Sequence, residues 1–114
     1  MPLIFHVCPR DAWAAAEAAG RYAGSSDDKR DGFIHFSAGD QVVESVAKHR
    51  AGQTGLVILG VSAEALGKAL AWEPSRGGQL FPHLYGDLPI QAVRFVRDLP
   101  LGADGRHVFP SLDP

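Results

Sequence analysis

Short apolar runs alternate with polar, glycine-bearing segments along the whole chain, and their periods assign most of it. Leu3 to Val7 is apolar and reads as a strand. Pro9 suits the first position of a helix, and Arg10 to Ala19 is alanine-rich, with Trp13, Ala16 and Glu17 on adjacent turns. Gly20 is the expected stop. Residues 21–32, RYAGSSDDKRDG, are polar and glycine-bearing and are expected to form a surface loop. Phe33 to Phe36 is a second apolar run. After it, Val42, Val43, Val46 and Ala47 recur at helical spacing, with Glu44, Lys48 and Arg50 turned to water. Ser37 is the expected N-cap of that helix, with Asp40 as its capping-box partner.

Gly55 to Val61, GLVILGV, is almost wholly apolar and predicts a central strand buried on both faces. Ser62 to Leu66 reads as one helical turn, capped by Ser62 and closed by Gly67. Ala69 to Glu73 is a further strand, Pro74 to Gln79 a loop, and Leu80 to Tyr85 an extended segment whose Pro82 suits a sheet edge. Ile90 to Asp98 alternates in part and reads as a strand. Gly102 to Gly105 is a turn, and His107 to Phe109 is expected to pair back. The order is β-α-β-α-β followed mostly by strands. That layout predicts one α+β domain over residues 1–114, with a bent or split antiparallel sheet and helices concentrated in the N-terminal half.

Composition narrows the classes of function. Net charge is −2, and the 11 Lys and Arg residues are spread along the chain, which gives no electrostatic footprint for nucleic acid. A small ligand is the expected partner. The single cysteine, Cys8, permits no internal disulfide. With no signal-peptide pattern and no apolar run near the ~20 residues of a membrane helix, a cytoplasmic, non-membrane protein is expected.

Three apolar segments each carry a histidine: His6, His35 and His83. Strand parity puts His35 with Ser37 on one face and His83 with Tyr85 on another. An imidazole costs free energy to bury without a hydrogen bond, so three in apolar surroundings suggest a shared polar site. Each histidine also has an ordinary structural role open to it, and Ser37 has one as a helix cap. Glu73, at a strand end, is a candidate base or ribose ligand or else a solvated residue. Arg76, followed by Gly77 and Gly78, forms a basic loop that suits a phosphate. No phosphate loop, dinucleotide fingerprint, HExxH, paired CxxC or GxSxG motif is present, and no metal site is read from the sequence.

Taken together, IFHV, DGFIHFS, LVILGV and WEPSRGGQLFPHLYG resemble a bacterial and plant family known as domain of unknown function 952, over about Leu3 to Val96. That family is similar in fold to the ADP-ribosyltransferases. The resemblance therefore implies a split β-sandwich with a cleft that takes NAD as co-substrate. By the same resemblance His6 would hold a ribose hydroxyl, and His35 with Ser37 would position the nicotinamide side. Glu73, His83 or Tyr85 would supply the third motif. The chain departs from the pattern in lacking an E-x-E or Q-x-E pair. Shared fold does not fix the reaction. The expectation is thus an ADP-ribosyl or phosphoryl transferase with His35, Glu73 and His83 as catalytic residues and His6, Ser37, Arg76 and Tyr85 as binding residues. A non-enzymatic module for a nucleotide-like ligand is the alternative, and a histidine-based metal hydrolase a weaker one.

Overall fold

A computed structural model describes residues 3–113, apart from the side chain of Arg76. Twelve helices and strands run in the order β1 (Leu3–Pro9), α1 (Arg10–Ala19), β2 (Arg21–Tyr22), α2 (Ser26–Asp31), β3 (Ile34–His35), α3 (Val42–His49), β4 (Leu56–Ser62), α4 (Ala63–Leu66), β5 (Leu70–Pro74), β6 (Leu80–Leu84), β7 (Leu88–Pro89) and β8 (Val93–Leu99). Short 3-10 turns lie at Gly67–Ala69, Arg76–Gly78 and Ile90–Ala92. The class is α+β, and all described strand pairs are antiparallel. Helices are not confined to the N-terminal half: α4 and the three 3-10 turns follow β4.

Two three-stranded sheets, ordered β1-β4-β8 and β3-β6-β5, carry the structure, with a small β2-β7 pair beside them. The apolar run expected to be central is central. Leu56 to Val61 are all buried in β4, because both faces of that sheet are covered. On one face Ile4, Cys8, Val57, Leu59 and Val61 meet Trp13 and Ala16 of α1 and Ile34, Phe36 and Leu84 of the second sheet. On the other, Phe5, Leu56, Ile58 and Leu99 lie under Val42 and Val46 of α3. Ser62 caps α4, its hydroxyl accepting from Ala65 N at 3.3 Å. Gly20 closes α1 in the left-handed region at φ 86°.

The segment expected to hold a sheet edge lies at the centre of the second sheet. Pro82 is tolerated there because its carbonyl accepts from Phe36 N at 3.0 Å. The missing N–H is on that same side, so the β3 ladder ends after two residues and the chain leaves β6. It crosses to the free edge of β1, where Phe5 and Ser37 exchange two backbone bonds of 2.8 Å. This bridge joins the two sheets and overturns the expected cap. Ser37 is committed to β1, the residue before α3 is Gln41, and Gln41 Oε1 accepts from Ala38 N. Because α3 starts late and is short, only Val42 and Val46 are buried, and Val43 and Ala47 face solvent.

Residues 21–32 are not a loop. Tyr22 is buried in β2, and α2 is closed at Gly32. Ser25 and Asp28 form a capping box at its start, in which Asp28 accepts from Ser25 N at 2.8 Å.

Gly60 shows how tightly the first sheet is built. It faces Phe5 on β1 and Phe95 on β8, and a β-carbon there would lie only 2.4 Å from the edge of the Phe95 ring. Gly60→Ala is expected to lower unfolding free energy by about 1–3 kcal/mol, the usual range for overpacking, as read from a urea transition.

Candidate functional site

The second sheet presents one face of polar and aromatic side chains. His35 on β3 stands directly opposite His83 on β6, and Ala71 and Glu73 of β5 fall opposite His83 and Phe81. Alternation puts Leu84 and Ile34 into the core and leaves Phe33, His35, Ser37, Phe81, His83 and Tyr85 on the other side. Phe33 ties the cluster together. Its ring stacks on His83 with centroids 4.0 Å apart and lies 4.6 Å from His35 and 5.4 Å from Tyr85. The His35 and His83 rings meet edge to face at 5.7 Å.

The two histidines are held by different carboxylates. His35 Nδ1 donates to Asp28 Oδ1 at 2.6 Å, and its Nε2 faces Asp31 Oδ2 at 3.0 Å. The hydrogen bond to Asp28 raises the His35 pKa above its ordinary value; partial burial opposes this, and the Asp28 and Asp31 charges reinforce it. The two carboxylates bracket the ring and favour its imidazolium form. His83 Nδ1 donates to Glu73 Oε1 at 2.8 Å, and that oxygen also accepts from the Tyr85 hydroxyl at 2.6 Å. These bonds hold Glu73 below the usual carboxylate range, Tyr85 contributing most, and push the Tyr85 hydroxyl up. With Nδ1 on Glu73, the neutral form of His83 has its lone pair on Nε2, which makes no hydrogen bond among the described residues.

Asp28 organises the rest. It is buried, and its two oxygens accept from Ser25 N, Ser25 Oγ, His35 N and His35 Nδ1. Burial works against its charge. The bonds from His35 and Ser25 outweigh that, and its carboxyl stays well below the usual range. His6 is buried on the inner face of β1. Its Nδ1 donates to the His35 carbonyl at 2.6 Å, and its Nε2 accepts from the Tyr22 hydroxyl at 2.8 Å. Burial lowers the His6 pKa, so the ring is neutral. Burial likewise raises Tyr22 and lifts the adjacent Cys8 thiol to about 11, which makes Cys8 an inert core residue.

A cavity of about 260 Å³ opens beside this cluster, and His6, His35, Ser37 and His83 all line it. Asp28, Asp31, Phe36, Ser45 and Arg50 line it too. The three sequence-predicted histidines thus converge on one space. Glu73 and Tyr85 stand behind His83 rather than in the cavity wall. Both ring nitrogens of His6 are bonded, Nδ1 to the His35 carbonyl and Nε2 to the Tyr22 hydroxyl, and the ring ties β1 to β3 at the cavity wall. Arg76 falls in the Arg76–Gly78 turn, and its side chain lies outside the described residues. Asp28, Asp31, Tyr22, Phe33 and Arg50 were not singled out from the sequence. For Asp28 a signal existed, the Ser25-x-x-Asp28 spacing ahead of Gly32.

The opposed shifts of His6 and His35 fix the sign of a pH dependence. His35 is raised, so its contribution is complete below the unfolded value of about 6.5 and is lost as pH rises through the folded one. His6 is lowered, so its contribution is complete above about 6.5 and is lost as pH falls through its folded value. Asp28 acts lower, its contribution being lost only as pH falls below about 3.9. Unfolding free energy between about pH 5 and 8 is therefore expected to peak near the midpoint of that window. His6→Gln should flatten the acid limb and His35→Gln the alkaline limb. A monotonic profile in chemical denaturation contradicts the assignment.

A family model described as "Protein of unknown function (DUF952)" matches residues 7–96. The fold is similar to the crystal structure of protein CC0527 from Caulobacter crescentus, at 51% identity over 93% of each chain and a TM-score of 0.89. It is also similar to the solution NMR structure of CC0527, at 52% identity over 91% of this chain and 90% of that one, with a TM-score of 0.81. A comparison with curated proteins finds no match.

Proposed function

The chain belongs to the DUF952 family of proteins of unknown function, and we propose that its cavity serves an ADP-ribosyltransferase-type reaction in which NAD gives its ADP-ribosyl group to a nucleophilic acceptor. The observation that carries this reading is the pair of facing histidines on one cavity wall, His35 bracketed by Asp28 and Asp31 and His83 held by Glu73 with Nε2 open. The fold supports it as well. Two antiparallel sheets joined at the Phe5–Ser37 bridge, with a cavity lined by residues of both, give a ligand room between them. A space of about 260 Å³ suits a nucleoside-sized part of a dinucleotide rather than the whole of it.

Each group has a role in the proposed step. His83 Nε2 accepts the proton of the acceptor hydroxyl as that oxygen bonds to the ribosyl carbon. The bond from that carbon to nicotinamide breaks, and its electron pair leaves with nicotinamide. Glu73 and Tyr85 orient His83 and stabilise the imidazolium formed. His35 offers its Nε2–H, now on the half-exposed Asp31, to a ligand oxygen. The Ser37 hydroxyl makes a further contact from the wall. Incubation with NAD, with free nicotinamide read by chromatography, tests the reading. Release that depends on His83 supports it, and no release at millimolar NAD overturns it.

A second reading, a non-enzymatic module for a nucleotide-like ligand, is favoured by one observation: Glu73 lies outside the cavity lining, so no third-motif glutamate meets the ligand directly. Retained ligand with no turnover would select it. The metal-hydrolase alternative lacks ligands. Of the ring nitrogens on His6, His35 and His83, only His83 Nε2 is uncommitted, and no three His, Cys, Asp or Glu groups among the described residues could hold a metal.

A further inference from the structure

The cavity is not uniform in charge. At the His35 end, cations and carboxylates are matched: Arg30 pairs with Asp27 and Asp31, and His35 with Asp28 and Asp31. Arg50, just past α3, lines the same cavity without a carboxylate partner among the described residues. Its side chain is nevertheless held in place. Nη2 donates to the Val7 carbonyl at 3.2 Å and Nη1 to Gln53 Oε1 at 3.2 Å. Those two bonds leave a hydrogen on each terminal nitrogen and the Nε–H unused. The guanidinium is close enough to His6, Tyr22 and Cys8 for its charge to bear on all three.

Two hydroxyls share this wall. Ser37, fixed by the β1 bridge, and Ser45, on α3, both line the cavity, and neither hydroxyl hydrogen-bonds within the described residues. A half-buried guanidinium with spare donors and two hydroxyls without partners among the described residues thus line one cavity. Such a set matches a phosphate, which has several acceptor oxygens and full negative charge, better than a neutral group.

We infer that Arg50, with Ser37 and Ser45, is an anchor for a phosphate group of the ligand, so that the cavity takes phosphorylated nucleosides in preference to bare ones. This rests on the reading of the cavity as a ligand site and adds a substrate class to it. The phosphate meets Arg50, and the reacting group meets His35 and His83. The anchor differs from the loop expected from the sequence, where Arg76 was the phosphate candidate.

The test is calorimetric titration of the whole chain with ADP and with adenosine. ADP is expected to bind at least about tenfold more tightly than adenosine, the scale of one charge-assisted contact. In Arg50→Gln that preference should disappear while adenosine affinity stays the same. Wild-type ADP affinity should also fall with added sodium chloride, and adenosine affinity should not. This arm stands even if Arg50→Gln does not fold. Equal affinities, a preference that survives Arg50→Gln or is indifferent to salt, or no ADP binding at millimolar concentration overturns the anchor. An intact ADP preference without nicotinamide release would instead overturn the transfer reaction and leave the anchor in place.

Discussion

His83→Gln is expected to lower the rate of NAD-dependent nicotinamide release by about 10²–10⁴-fold, the span usual for a positioned general base. The cause is local. His83 Nε2 lies in the cavity wall and makes no hydrogen bond among the described residues, and Glu73 fixes the opposite nitrogen. Glutamine keeps a polar group of similar reach but cannot take up a proton. The fold should survive, because the core contacts of β6 come from Leu84 and Pro82 on the other face. The loss should fall on kcat, with KM little changed, since proton transfer belongs to the transition state. Glu73→Gln should cost less and should shift the pH profile, as expected of a positioning residue.

Asp28→Asn is the substitution expected to cost most in stability, about 3 kcal/mol in the unfolding free energy from a urea transition. Breaking a buried charge pair from one side usually costs about 3–5 kcal/mol. The lower end applies because the partner, His35, is 40% exposed and partly screened by water. Asn has one acceptor oxygen where Asp28 uses two. Its amide hydrogens would face either the His35 donors or the Ser25 donors, so one set is left unpaired in the interior. The α2 cap and the His35 ring depend on the same side chain, so the variant should also lower the His35 pKa. A loss below about 0.5 kcal/mol, within the range of surface substitutions, would show that Asp28 does not organise the site.

The features that could be read from the sequence were those set by neighbours along the chain. The apolar run Leu56 to Val61, the Ser62 cap and the Gly20 stop depend on local periodicity and local conformation, and they stand as expected. Strand parity also placed Ser37 with His35 and Tyr85 with His83. The convergence of His35 on His83 is a register between strands 48 residues apart in sequence, and no local pattern encodes it. Helix α2 was hidden because its buried anchor is a carboxylate. A period search weighs apolar residues, and RYAGSSDDKRDG offers only Tyr22 and Ala23. Ser37 has the composition of a cap but is held on β1 by Phe5, a contact from 32 residues away. Pro82 marks a real break in pairing, on the short β3 side of a central strand rather than at a sheet edge.

The most direct test of the shared cavity is a nitrogen-15 NMR titration of histidine-labelled protein with NAD at neutral pH. His35 and His83 resonances are expected to move together and to saturate. His107, whose ring bonds the Gln53 carbonyl outside the cavity lining, should stay fixed. No change at His35 and His83 at millimolar NAD, or changes confined to His107, would contradict a nucleotide site built on the two facing histidines.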